Sequence, residues 1–399
     1  MSAILPKPAA GPRRPRRALH LVYSHYASDP RTRRQAEALR DAGWEVTVRC
    51  LAREGEPTRS TLDHVRVHAT YVPRYRGRSL LKYLRSYGRF LAGAAAELAA
   101  HPRRYDFVHV HSLPDFAVHA AHPARWSGAG VVLDIHDLVP ELFIERFGTK
   151  RALALRLAKL SERLSCASAT HVLTANEQFR ERLVARGIPA HKVSLNLNLP
   201  DETVFWRDEP PAPPESPVLA YHGTLVPRYG PDLLLEAAAR LIPRFPTLTV
   251  RIVGDGDQRE ELVRRAEQPD LAGRVWLSPD RVPIHGIPEA LGRVTVGVVA
   301  NRPDSFSRLV LPTKLLEYLA LGIPTVVTRT ETTDYYFEPG ELTTVERPDA
   351  DSLANAIAPL LADPAEARRR LEQARRFFTR HAWERERAEY VALAERLAR

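Results

Sequence analysis

Short apolar runs of strand length alternate with helix-length amphipathic stretches along this chain. "ALHLVYS" comes first, followed by the polar loop "HYASDPRTR" and a helical pattern through "QAEALRDAG" that ends on Gly43. "EVTVRCL", "FVHVHS", "GVVLDIHD" and "THVLTAN" continue as strands, each separated by a helix-length segment. Strands alternating with helices in this way predict parallel βαβ units and a sheet covered on both faces.

The alternation breaks at "LPDETVFWRDEPPAPPESP", residues 199–217, where five prolines fall between 210 and 217. Proline fixes φ and lacks a backbone N–H, so this stretch predicts a linker. The pattern restarts with "VLAYHG", "LTVRIVGDG", "RVWLS", "TVGVVAN" and "PTVVT". The expected class is α/β, with two Rossmann-like, doubly wound parallel-sheet domains. A disordered basic tail is expected over 1–17, domains over 18–199 and 218–376, the linker over 200–217, and a last helix over 377–399. A length of 399 residues agrees with two domains. Ligands of such sheets bind at the carboxyl ends of strands, and two such edges can face one cleft.

One helix carries more than packing explains. In "VLPTKLLEYLALGIPTVV", residues 310–327, Pro312 suits a first turn, Gly322 a C-terminal cap, and Pro324 lies just beyond. Leu315, Leu316, Leu319 and Ala320 supply a buried stripe. Lys314 and Glu317 stand three apart on one face, near an N-terminus whose unpaired N–H groups attract anions.

Composition narrows the setting. Hydrophobic residues make up 44% and charged residues 27%, as in a soluble globular protein. Two cysteines, Cys50 and Cys166, stand far apart and match no metal or redox spacing, which predicts a reducing compartment. "MSAILPKPAAGPRRPRR" has no apolar signal-peptide core, and no run reaches transmembrane length, so a cytoplasmic protein is expected. Residues 1–106 hold 21 Lys and Arg against 9 Asp and Glu, within a net charge of +10. Positive charge in the first quarter favours an acidic ligand or an anionic membrane near it. No recognition module accompanies that charge, which argues against nucleic acid.

Several motifs remain. "SHYASDPRTRR" and "VGDG" are not dinucleotide fingerprints, which argues against hydride transfer. Asp255 and Asp257 fit a turn better than a metal-binding pair, since carboxylates holding Mg²⁺ usually need a substrate phosphate alongside. His109 and His111 share a strand face, and His119 and His122 follow, but no Cys or carboxylate completes a zinc spacing nearby. No metal is expected. The run before His136-Asp137 places both residues where a strand meets its ligand-facing loop; Asp137 also suits a cap of the helix containing Pro140 and Glu141. In "YHGTLVPRYG", Gly223 permits close backbone approach, and Arg228 suits a phosphate through its planar fork, with a solvated loop arginine as the alternative.

Together, "DPRTRRQAEALRDAGWEVTV", "VVLDIHDLVPELF", "YHGTLVPRYG", "VRIVGDGD" and "LPTKLLEYLALGIPTVV" resemble, in order, the GT-B-fold retaining glycosyltransferases of family 4. The likeness spans residues 18–397. It implies an acceptor-binding N-terminal domain, a nucleotide-sugar-binding C-terminal domain, and a last helix that crosses back to the first. It implies metal-independent transfer with retained anomeric configuration, no cofactor, and a UDP- or GDP-sugar as co-substrate. Glu317 would hold the ribose hydroxyls, while Lys314, Arg228 and the helix N-terminus would neutralise the diphosphate. Gly223, Leu311, Pro312 and Thr313 join the donor side; His136 handles sugar and acceptor; Asp137, Arg31 and Asp29 fall on the acceptor side. The sequence departs from the family pattern at Leu309, where many members place the first glutamate of E-x7-E, and at Tyr229, where a lysine is common. A catalytically silent nucleotide-binding subunit, a nucleotide-sugar epimerase and a sugar phosphorylase are the alternatives. A hydrolase would need a carboxylate pair flanking the bond, and the sequence identifies none.

"SLLKYLRSYGRFLAGAAAELAA" sets Leu80, Leu84, Tyr87, Leu91 and Leu98 on one helical stripe, with Arg78, Lys82, Arg85 and Arg89 opposite. That basic face is either solvated or a contact for anionic lipid or a phosphate-bearing acceptor.

Overall fold

A computed structural model describes residues 14–72, 80–112, 114–148 and 151–399. The first sheet is built from β1 (Arg17–Leu21), β2 (Glu45–Ala52), β3 (Arg59–Leu62), β4 (Val65–Tyr71), β5 (Phe107–His111), β6 (Gly130–Ile135), β7 (His171–Thr174) and β8 (Val193–Leu195). Their order is β3-β4-β2-β1-β5-β6-β7-β8. The second sheet contains β9 (Val218–His222), β10 (Thr249–Val253), β11 (Val275–Leu277), β12 (Val296–Val299), β13 (Thr325–Thr328) and β14 (Thr343–Val345), ordered β11-β10-β9-β12-β13-β14. In each sheet the order reverses beside a central strand, β1 next to β5 and β9 next to β12. Such switch points open a crevice at the carboxyl ends of the strands.

The expected strands form, and the two sheets are doubly wound. One correction applies to the first sheet, which is mixed rather than parallel throughout. β3 pairs antiparallel with β4, and "RSTL" is too polar and too exposed to announce itself as a strand.

The chain forms two compact units. One takes the chain up to His136 with Leu164–Leu173 and Arg387–Arg399; the other takes Asp137–Arg163 and Thr174–Glu386. The last part of the chain therefore belongs to the first unit. There Tyr390 is buried and its hydroxyl meets His109 Nδ1 at 2.8 Å. Gly130 opens β6, and a side chain there would collide with the Leu397 carbonyl, so its lack of a Cβ lets the last helix lie close.

The single expected helix over 377–399 is two helices, Pro364–Arg380 and Trp383–Leu397. His381 leaves helical geometry at φ −134° and ψ 84°, and its ring packs on Phe377 at 4.8 Å and on Tyr336 at 5.4 Å. The front of the expected linker is also ordered. Asp201 caps a short helix, Glu202–Phe205, whose Val204 and Phe205 enter the core with Leu315, Leu316 and Leu319. Burying a leucine of this kind contributes about 1.5–3 kcal/mol. Within the stretch expected as a tail, residues 1–13 lie outside the described residues. Arg14 bonds the Asp106 carboxylate at 2.8 Å, and Arg17 already belongs to β1.

Candidate functional site

The donor-side candidates converge at the carboxyl end of β9. The helix Thr313–Ala320 starts from Pro312, and no side chain caps its N-terminus. Gly322 follows it at φ +75°. Lys314 is partly exposed, and its ammonium lies 4.2 Å from the Tyr221 ring centroid and 4.4 Å from that of Tyr229. Lys314 Nζ donates to Tyr221 Oη at 2.9 Å. Burial pushes the lysine down to about 7, against the opposing pull of Glu317. Two aromatic faces favour the charged form but cannot replace the lost water. No carboxylate pairs with this ammonium among the described residues.

Glu317 lies one turn further along. Its Oε2 meets His222 Nε2 at 2.5 Å, so the last residue of β9 fixes the carboxylate. Gly223 follows at φ +116°, and a Cβ there would press on Lys314 Cδ at 3.2 Å. This glycine therefore serves both the backbone conformation and the lysine's room. Leu311 is buried in the core, and Thr313 is the first helical residue.

Arg228 is not free. It forms an ion pair with Glu145, a second with Asp304 at 3.3 Å, and lies 5.5 Å over the Phe306 ring. An anion at this guanidinium would compete with two carboxylates. Leu309 is 1% exposed, and its carbonyl accepts from Asn176 Nδ2 at 3.0 Å. The first position of the E-x7-E spacing is therefore a packed apolar side chain in this chain.

In the first unit, parallel register assembles a buried polar cluster. His20 stands opposite His109, and His111 opposite Asp134. Asp134 accepts from Arg31 Nε at 2.9 Å and Nη2 at 2.8 Å, and from Gln35 Nε2 at 3.0 Å. Burial alone would raise this carboxyl, but Arg31, then His136 and His109, hold it well below the usual range. Burial lowers His20, His109 and His111 below ordinary histidine. His136, partly exposed, meets Asp134 Oδ2 at 3.3 Å and His111 Nδ1 at 3.2 Å. His111 Nε2 in turn meets His20 Nδ1 at 3.0 Å. A neutral imidazole has one donor and one acceptor nitrogen, so the protons along His136, His111 and His20 are set together.

Arg31 and Asp29 thus have local roles. Arg31 neutralises Asp134, while Asp29 caps the helix Pro30–Asp41 through Thr32 N at 3.0 Å and accepts from Ser24 Oγ at 2.7 Å. Asp137 is not the cap considered for the next helix. Leu138 holds the N-cap position of Val139–Phe147 with no side-chain bond. Arg85 and Arg89 are exposed on the helix Leu80–Ala100, while Arg78 and the Lys82 side chain lie outside the described residues.

Among the described residues two groups bring metal-ligating atoms within 4.8 Å of one another, His20–His109–His111 and His111–Asp134–His136. The first group does not suit a cation. His109 and His111 stack at 4.2 Å and 10°, and His20 and His111 at 5.3 Å and 22°. Lone pairs lie in the ring planes, so near-parallel rings aim them side by side rather than at one centre. In the second group, where the His111 and His136 rings cross at 72°, Asp134 Oδ2 already accepts from Arg31 and Gln35.

Sequence reading missed His222, Tyr221, Asp134, His20 and Tyr390. Two signals were available. Asp134 and His136 alternate with period two in "DIH", as His109 and His111 do in "HVH", and an otherwise apolar β9 ends in "YH".

Residues 28–198 match a glycosyl transferase 4-like domain, and residues 203–377 match glycosyl transferases group 1. The lipopolysaccharide core biosynthesis glycosyltransferase LpsE of Rhizobium meliloti is 31% identical over 38% of this chain and 41% of its own. A GDP-mannose-dependent alpha-(1-6)-phosphatidylinositol monomannoside mannosyltransferase of Mycolicibacterium smegmatis is 30% identical over the same shares. The chain thus spans about two fifths of the length of these two curated relatives. The sucrose-phosphate synthase structure from Thermosynechococcus elongatus aligns with a TM-score of 0.76 and 19% identity, covering 96% of this chain and 99% of that one. With matched domains running from residue 28 to residue 377 and the fold held in common, this chain belongs to the GT-B glycosyltransferases.

Proposed function

We propose that this protein is a metal-independent, retaining glycosyltransferase that moves a sugar from a UDP- or GDP-sugar to an acceptor in glycan or glycoconjugate biosynthesis. One observation carries the reading: Lys314, partly desolvated and without a carboxylate partner, stands at an uncapped helix N-terminus one turn before Glu317. Helix N–H groups and a lysine suit a diphosphate, and a carboxylate held by His222 suits ribose hydroxyls. As the bond between sugar and diphosphate breaks, negative charge grows on the leaving group and positive charge on the sugar. Fixed donors aimed at the phosphates stabilise that change and need no reorganisation. Arg228 adds a second cation once phosphate displaces Asp304 or Glu145. His136 takes the sugar and acceptor side, with Asp137 beside it in sequence.

A second reading rests on Leu309: a nucleotide-binding GT-B subunit without turnover. The assay that separates the two follows release of nucleoside diphosphate from a panel of nucleotide-sugars, with and without candidate acceptors. Turnover that Lys314→Ala abolishes, with retained anomeric configuration by NMR, supports transfer. Tight binding with no release, including no donor hydrolysis, supports the silent subunit. An altered donor sugar without acceptor would mean an epimerase. The reading also takes the protein to be cytoplasmic, with peripheral contact at an anionic membrane; the face carrying Arg78, Lys82, Arg85 and Arg89 is one candidate for it. No helix among the described residues is long and apolar enough to cross a membrane.

A further inference from the structure

Nine large hydrophobic side chains are exposed among the described residues, and four of them stand on one helix, Ala152–Ser168. Leu153 is 71% exposed, Leu157 57%, Leu160 50% and Leu164 52%. At 3.6 residues per turn these four fall within an arc of roughly 60°. The opposite arc is the helix's inward face: Glu162, Ser165 and Cys166 are buried there, and Glu162 pairs with Arg186 at 2.8 Å. The leucines therefore point directly away from the protein. Arg156, Lys159 and Arg163, all exposed, line one flank of the leucine stripe. Glu162 is the helix's sole acid, and it is turned inward and neutralised.

A surface helix normally buries its apolar stripe and shows charge to water; this one shows both outward. An apolar ridge flanked by cations and free of exposed acids has the chemistry of a helix lying in the headgroup region of an anionic bilayer. We propose that the helix Ala152–Ser168 docks this protein on an anionic lipid surface, with Leu153, Leu157, Leu160 and Leu164 entering the acyl boundary and Arg156, Lys159 and Arg163 meeting the headgroups. A second copy of the chain is the weaker occupant. A two-fold contact sets the same patch against itself, so these cations would oppose one another. Four leucines also fall far short of the roughly 20–30 residues a side of a stable interface. The inference rests on this helix alone and is independent of which sugar or acceptor the protein uses.

The test is co-sedimentation of the full chain with phosphatidylcholine vesicles and with phosphatidylcholine–phosphatidylglycerol vesicles, without nucleotide. Binding to the anionic vesicles is expected, falling with added salt. Leu157→Ser with Leu160→Ser should weaken it by about tenfold or more. Arg156→Glu or Arg163→Glu should weaken it by about fivefold each. All four positions are exposed, and unchanged melting curves confirm that the variants fold. Equal binding by wild type and the leucine variant overturns the proposal, as does an absence of binding to anionic vesicles. Loss on Arg85→Glu with Arg89→Glu, but not on the leucine changes, overturns it in favour of the helix Leu80–Ala100. A wild-type dimer by light scattering that the leucine variant dissolves would make the occupant a second copy.

Discussion

The two polar clusters differ in how far the protein itself answers their charges. Around Asp134, Arg31 gives a two-point bond, Gln35 a third contact, and three histidines surround what is left. Around Lys314 there is one hydroxyl, two aromatic faces and a helix end that no side chain caps. A buried pair closed on itself holds a fold in one arrangement. A desolvated cation beside unpaired N–H groups is prepared for an anion that is not part of the chain. On that contrast we propose the first cluster as architecture, with His136 as its partly exposed end, and the second as the ligand site.

The largest effect is expected from Asp134→Asn. It leaves the Arg31 guanidinium buried without its counter-charge, which costs about 3–5 kcal/mol and is read by urea denaturation. Glu317→Gln should cost less than about 1 kcal/mol in the same experiment. Equal losses would erase the distinction between the clusters. Next comes Lys314→Ala, expected to lower kcat by about two to three orders of magnitude with little change in melting temperature.

A third prediction uses pH. In the free protein Lys314 titrates near 7, lowered by burial, and a bound diphosphate raises it again. Above pH 7, binding must therefore take up a proton, and Kd should rise by up to about tenfold per pH unit. Below pH 7 the lysine is already charged, and it adds no slope. Lys314→Arg keeps its charge throughout and should flatten the profile above 7, measurable by calorimetry in buffers of different ionisation enthalpy. The smallest effect is Tyr390→Phe, which removes one buried hydrogen bond to His109 and should cost about 1 kcal/mol.

Much of the fold was legible because parallel strands buried on both faces read as apolar runs. β1, β2, β5, β9 and β10 all announce themselves that way, and the helix Thr313–Ala320 does so through its cap residues. β3 was not legible, because an exposed polar edge strand has no pattern of its own. The break at His381 was hidden too, since the helical pattern runs through it and only packing on Phe377 and Tyr336 marks the turn. At the sites, Lys314, Glu317 and Gly223 could be picked out because each is locally anomalous. Arg31 could not be given its partner. That pairing depends on parallel register across β1, β5 and β6, which local spacing does not contain.

Whether the helix Thr313–Ala320 holds a nucleoside diphosphate is measured most directly by a thermal-shift panel of UDP, GDP, ADP and TDP on wild type and Glu317→Ala. Ligand that binds only the folded state raises the melting temperature. A rise with UDP or GDP that is lost in the variant is expected. No rise with any nucleotide, or the same rise in Glu317→Ala, would contradict it.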